Sequence, residues 1–119
     1  MAKYKIFQIH LTNNEVAHVN AHGHDSVDKQ VARLDLMSPY RHDDVLPLVR
    51  DAFDKNYFKH VANITASGLE DVFTIGNGYG DKEDVELLDR MHSLSVGDVV
   101  EDDTGTRYFV NTSGFLAVA

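Results

Sequence analysis

Val96-Gly97-Asp98-Val99-Val100-Glu101-Asp102-Asp103-Thr104-Gly105-Thr106-Arg107-Tyr108-Phe109-Val110-Asn111 holds two apolar runs around one cluster of turn residues. Val96–Glu101 and Arg107–Asn111 are rich in the β-branched and aromatic residues that suit a pleated surface. Asp102-Asp103-Thr104-Gly105 between them is a hairpin signal, with glycine placed to take a left-handed conformation. Gly114–Val118 continues as a further strand. Outward from this hairpin, Tyr57–Ala66 carries Phe58, Ala62 and Ile64 on one period-two face and Tyr57, Val61 and Thr65 on the other. It also reads as a strand. In Tyr4–Leu11 the two alternating sets are both mixed, which fits a strand covered on both faces. The apolar runs near both ends of the sequence are expected to lie in one sheet.

Between the strands the period changes. A helix is expected from Asp25-Ser26 to Leu36, with Val27, Val31 and Leu34 as its apolar stripe and Ser38-Pro39 as its stop. A second begins at Asp43 or Asp44 and runs to Asn56. It buries Val45, Leu48, Val49, Ala52 and Phe53, with Pro47 placed in the first turn. Ser67-Gly68-Leu69-Glu70 is a capping box ahead of a short helix that ends at Gly76 as a left-handed cap. A fourth helix is expected over Lys82–Met91, capped by Asp81, with Val85, Leu88 and Met91 inward. Asn13-Asn14 reads as a turn and Glu15–Ala21 as a short strand. The sum is one α+β domain over residues 1–119: a small mixed or antiparallel sheet with about four helices packed on it.

Cysteine is absent, which removes disulfides, thiolate metal sites and a cysteine nucleophile together. No stretch approaches the length of a membrane span and no cleavable leader is visible, so a cytoplasmic protein with no membrane contact is expected. The formal net charge of −8 is unevenly placed. Residues 1–59 balance, whereas residues 60–119 hold only Lys82, Arg90 and Arg107 against eleven acids. Such a half repels phosphate backbones and attracts basic surfaces, which argues against direct nucleic-acid binding.

His92-Ser93-Leu94-Ser95-Val96-Gly97-Asp98-Val99-Val100, followed by Tyr108-Phe109-Val110-Asn111-Thr112-Ser113-Gly114-Phe115, resembles the C-terminal signature of the YodL-like domain family. Tyr4-Lys5-Ile6-Phe7-Gln8-Ile9 is similar to that family's first strand. Asn111 stands where the family favours aspartate and Thr112 where it favours serine. The resemblance implies a domain carried by bacteria, integrative elements and phages, often beside proteins of element–host conflict, and it implies no established activity. An amide cannot act as a base, so no acid–base role passes to position 111. Read from the residues alone, Ser93 or Ser95 satisfies backbone groups where a helix hands over to a strand, and Gly97-Asp98 bends that strand.

His18, His22 and His24, with His10 upstream, are the candidate metal ligands. His18 and His22 would share a face of a helix and chelate zinc there, but Gly23 and the asparagines argue against one, and the HExxH pattern is missing. A small metal- or ligand-dependent enzyme built on this cluster is the alternative reading. Gly76-Asn77-Gly78-Tyr79-Gly80 lacks the lysine of a phosphate loop, and the acidic run after it lacks the alternation of a calcium loop. No GxSxG elbow is present. Neither a catalytic residue nor a cofactor or metal is therefore expected. The preferred reading is a non-enzymatic protein-binding module, encoded by a phage or mobile element. Its contact residues would be Glu83, Asp84, Glu86 and Asp89 on the fourth helix, with Glu101, Asp102 and Asp103 on the hairpin. Its partner would be a host protein with a basic surface, engaged in one version by imitation of a phosphate track.

Overall fold

The computed structural model describes residues 1–37, 42–79, 82–111 and 114–118. Strand β1 (Ala2–Ile9) pairs antiparallel with β2 (Phe58–Ala66) on one side and β4 (Val99–Glu101) on the other. β3 (Val85–Leu87) pairs with β2, β5 (Arg107–Asn111) with β4, and β6 (Gly114–Ala117) with β5. The six-stranded order is therefore β3-β2-β1-β4-β5-β6. The hairpin and the first strand share one antiparallel sheet, as their patterns predict. Asp102 closes the hairpin turn. Its Oδ1 accepts from the Thr104 and Thr106 N–H groups at 2.9 and 3.0 Å, and from the Thr104 hydroxyl at 2.6 Å.

The mixed alternation of β1 has a direct cause, because each face of the sheet carries its own core. Tyr4 and Ile6 pack with Ala62, Ile64, Val100, Val110 and Leu94, beneath Val72 and Ile75 of α4 (Leu69–Gly76). Ile9 and Phe7 pack on the other face with Phe58, Val99 and Phe109. They meet Leu36 of α2 (Asp28–Met37) and Val45, Val49 and Ala52 of α3 (His42–Asp54). Alternation along β1 alone sends Tyr4 and Ile6 to one core and Phe7 and Ile9 to the other. The register shift opposite Ile6 and Phe7 leaves Val61 as the extra residue of a bulge on β2, so that Val61 and Ala62 both join the first core.

Several elements depart from their sequence reading. Residues Asn13–His22 form helix α1 rather than a turn and a strand. The signal is Thr12-Asn13-Asn14-Glu15: Thr12 Oγ1 accepts from the Glu15 N–H at 3.2 Å, and Glu15 Oε1 accepts from the Thr12 N–H at 2.8 Å. Only Val19 of α1 is buried, so no apolar stripe advertised the helix. Lys29 ties it down, pairing with Glu15 at 2.7 Å and donating to the His10 carbonyl at 3.0 Å. In α2 the buried residues are Gln30 and Leu36, while Leu34 is exposed, so the stripe on Val27, Val31 and Leu34 is displaced. Pro47 lies past the first turn of α3 and offers no N–H to the carbonyl of Asp43. The expected stop at Ser38-Pro39 lies outside the described residues.

The capping box at Ser67 and Glu70 does not form. Gly68 occupies the cap position, and the Ser67 N–H and hydroxyl both donate to Asp71 Oδ2 instead, at 3.0 and 3.2 Å. Gly76 is the last helical residue rather than a left-handed cap; a Cβ there would meet Leu94 Cβ at 3.0 Å, so its role is close packing. The fourth helix is absent. Lys82–Asp84 make a single 3₁₀ turn and the chain then extends as β3. The open edge of β2 supplies hydrogen bonds that outweigh the local helical pattern, and the Leu88 and Asp89 N–H groups continue onto the Val61 carbonyl at 2.9 and 3.1 Å. Asp81, its expected cap, lies outside the described residues.

Candidate functional site

Loss of the fourth helix rearranges the acidic residues. Glu83 and Asp84 sit in the 3₁₀ turn and Glu86 in β3, where Glu86 accepts from Asn63 Nδ2 at 2.7 Å. Asp89 pairs with Lys59 at 2.5 Å, and this contact lowers its pKa. Glu101 lies between Lys5 at 3.7 Å and Arg107 at 3.0 Å. Asp102 is spent on the hairpin turn, where the Thr104 hydroxyl holds its pKa down; Asp103 is exposed. These residues form no continuous helical face. Apolar exposure accompanies them: Tyr79, Leu87 and Leu88 are 83%, 65% and 51% accessible. Only Met1 exceeds Tyr79 among the exposed large apolar residues described.

His18 and His22 do share a helix face, on α1, with ring centroids 4.5 Å apart. His24 is not their third ligand, since its Nδ1 lies 3.1 Å from Gln30 Nε2. Among the described residues no group of three His, Asp or Glu is arranged to hold a metal. Alanine at His18 and His22 is therefore expected to change stability by no more than about 0.5 kcal/mol. Dialysis against a chelator is expected to leave thermal unfolding unmoved. Stoichiometric zinc that is lost on those substitutions would restore the metal-enzyme reading.

The most developed polar constellation lies where β1 meets the segment before β4. Gln8 is fully buried, and its side-chain partners are His10, His92 and Asp98, all outside the strands. Its Nε2 donates to the His92 carbonyl at 3.0 Å and to Asp98 Oδ2 at 3.1 Å. Its Oε1 accepts from the His92 N–H at 3.2 Å and lies 3.1 Å from His10 Nε2. His92 Nδ1 is 2.8 Å from the Ser93 carbonyl, so that nitrogen carries hydrogen and Nε2 is left facing Asp98 Oδ1 at 3.9 Å. The rings of His10 and His92 are 5.0 Å apart.

Asp98 also builds the turn that presents it. Ser95 N–H donates to its Oδ2 at 2.9 Å, and its own N–H returns to the Ser95 carbonyl at 3.1 Å. Gly97 takes φ +100°, the third position of a type II turn, and packs against Met37 and the Leu36 carbonyl. The serine side chains therefore do not make the cap expected of them; the aspartate does. Burial pushes the Asp98 carboxyl up to about 6, against the opposing pull of the Ser95 N–H, His92 and Gln8. His10 is lowered, first by burial and then by the charges of His92, Arg90 and Arg33.

Sequence reasoning grouped His10 with the wrong histidines and passed over Gln8. The available signal was polarity out of place: Gln8 and Asp98 occupy positions that the strand pattern assigns to core. No protein-family model, no curated protein and no solved structure matches this chain. Its class is accordingly the one that fold and site define: an α+β domain with an antiparallel six-stranded sheet, a buried carboxylate–imidazole cluster at one end and an acidic, apolar strand at one edge. Among the described residues no helix is long and apolar enough to cross a membrane.

Proposed function

We propose that this chain is a non-catalytic protein-binding module whose docking surface is the sheet edge formed by β3 and its flanks. The observation that carries the reading is the exposure of Leu87 and Leu88, beside Glu83 and Glu86, at a strand that among the described residues pairs only with β2. Exposed apolar side chains gathered on one edge mark contact surfaces, and an open strand edge accepts a further strand. The acids select the occupant: an extended, basic segment of a partner protein that sets its cations against Glu83 and Glu86. Glu86, Asp89, Glu101 and Asp102 each make an internal contact, which favours a docking edge over a continuous phosphate track. The resemblance of His92–Val100 and Tyr108–Phe115 to the YodL-like signature supports an element-encoded protein acting on a host partner.

The test is a titration of the ¹⁵N-labelled protein with extended peptides that alternate lysine and valine, with glutamate–valine peptides as controls. The lysine peptides are expected to shift the Leu87 and Leu88 amides. Affinity is expected to fall roughly tenfold in Leu87→Asp, the size of a lost interface anchor. It is also expected to fall in Glu83→Lys/Glu86→Lys and with rising salt. Equal binding of both peptides, or binding unchanged in both variants, would sink the proposal.

A further inference from the structure

Four cation-forming side chains converge at the end of the sheet from three separate segments. His10 follows β1, Arg33 lies on α2, and Arg90 and His92 lie after β3. Protonation of His10 is opposed first by burial and then by the charges of His92, Arg90 and Arg33, with Asp89 pulling the other way. The nearby acids relieve little of this opposition. Asp89 is held by Lys59, Glu15 by Lys29, and Asp98 is buried, with its Oδ2 accepting from the Ser95 N–H and from Gln8 and its Oδ1 3.9 Å from His92 Nε2.

Two hollows adjoin this cluster. The smaller, about 60 Å³, lies between α2 and the Ser95–Asp98 turn, and Arg33 and His92 line it. The larger is an open groove of about 620 Å³ with His10, Arg90, Lys29, Lys59 and Tyr57 on its walls, together with Asp89, which pairs with Lys59. His92 lines the smaller and His10 the larger, and their rings are 5.0 Å apart. A groove of that size falls in the range of small-molecule sites, roughly 300–1,000 Å³.

We infer that His10, Arg33, Arg90 and His92 form a binding site for a dianionic group, the phosphate of a small phosphate ester whose remaining body lies in the adjoining groove. A dianion turns the repulsion among these groups into attraction, and the arginines supply paired N–H donors that suit phosphate oxygens. Tyr57 gives the groove an aromatic wall for a planar body. Binding takes up protons, because each imidazolium gains an opposite charge. The pH dependence belongs to His10, His92 and Asp98, set against the fixed charges of Arg33, Arg90, Lys29 and Lys59 and of Asp89 and Glu15.

Sulfate, which remains a dianion throughout the range, is the probe for pH. The ring resonances of His10 and His92 are followed from pH 5.5 to 8 in sulfate and in chloride of equal ionic strength. Sulfate is expected to raise both midpoints. It is expected to bind roughly tenfold tighter at pH 6 than at pH 8, since one unit of histidine pKa corresponds to a tenfold difference in affinity between its two protonation states. Adenosine monophosphate and inorganic phosphate, compared at pH 7, test the groove, and the nucleotide is expected to bind more tightly. Arg33→Gln and Arg90→Gln are each expected to weaken every anion while unfolding at the parent's temperature. Midpoints identical in sulfate and chloride would overturn the site, as would anion binding unaltered in both variants. A nucleotide no tighter than phosphate would overturn the assignment of the groove.

Discussion

Phe109→Ala is expected to lower stability by about 3–5 kcal/mol, the range for truncating a buried aromatic to alanine. Phe109 is the largest fully buried side chain among the described residues, and it stands in the middle of β5 between Val99 and Leu116. Its ring meets the core that α2 and α3 close over the sheet, with Leu36, Val45, Val49 and Ala52. Helices and strands from distant parts of the chain converge on it, so the surroundings have little freedom to collapse into the vacated space. Domains of this size have about 5–15 kcal/mol in total, so the loss is a large fraction of it. Urea unfolding should show a lower midpoint with an unchanged slope. Phe109→Leu, which refills part of the volume, should recover more than half of the difference. A loss below about 1 kcal/mol for the alanine variant would mean that the α2/α3 core is not packed as described.

The parts of the fold that were legible in the sequence are those where burial repeats along one element. β1, β2 and the hairpin each carry enough buried positions for period two to stand out, and α3 buries Val45, Val49 and Ala52 on one face. Illegible parts have a common physical origin, in that their stability comes from something outside the segment. Helix α1 buries Val19 alone and rests on a reciprocal cap at Thr12 and Glu15, which two adjacent asparagines disguised as a turn. The segment Val85–Met91 has helical spacing, yet the unpaired edge of β2 draws it into a strand. A local pattern reports what a segment would do alone, and an open sheet edge changes the alternatives open to it.

The candidate sites divide in the same way. The acidic residues were found by composition, but the surface they make depends on β3, and four of the seven, Glu86, Asp89, Glu101 and Asp102, turn out to be engaged within the molecule. Gln8, His10, His92 and Asp98 are brought together by the β1–β4 pairing, across more than eighty residues of sequence. No spacing rule reaches that far. Their only local mark is that amide and carboxyl groups stand in otherwise apolar runs, where burial without partners would be costly.

Asp98→Asn is expected to alter the pH dependence of stability more than any other single exchange at this cluster. The Asp98 pKa rises from 3.8 to about 6 on folding, chiefly because burial disfavours the charged form. A group raised in this way favours the native state fully below its unfolded value, and that contribution is lost as pH climbs through the folded value. The window is therefore pH 4 to 6. The size follows from the shift and is on the order of 3 kcal/mol. Asparagine fits the same hydrogen bonds, since its Oδ1 can replace Asp98 Oδ2 as acceptor for Ser95 and Gln8 while its Nδ2 faces His92 Nε2. Near pH 4 the variant should match the parent within about 1 kcal/mol. Between pH 4 and 6 its advantage should grow, and above pH 6 it should remain constant. His10 acts in the opposite sense, because a lowered imidazole pKa costs stability as pH falls below 6.5; it is common to both proteins and drops out of the difference. Urea unfolding of parent and variant from pH 3.5 to 7.5 measures that difference directly. A flat difference would show that Asp98 titrates alike in the folded and unfolded chains. A difference that moves against the variant as pH rises would show that His92 and Arg33 stabilise the carboxylate by more than burial penalises it.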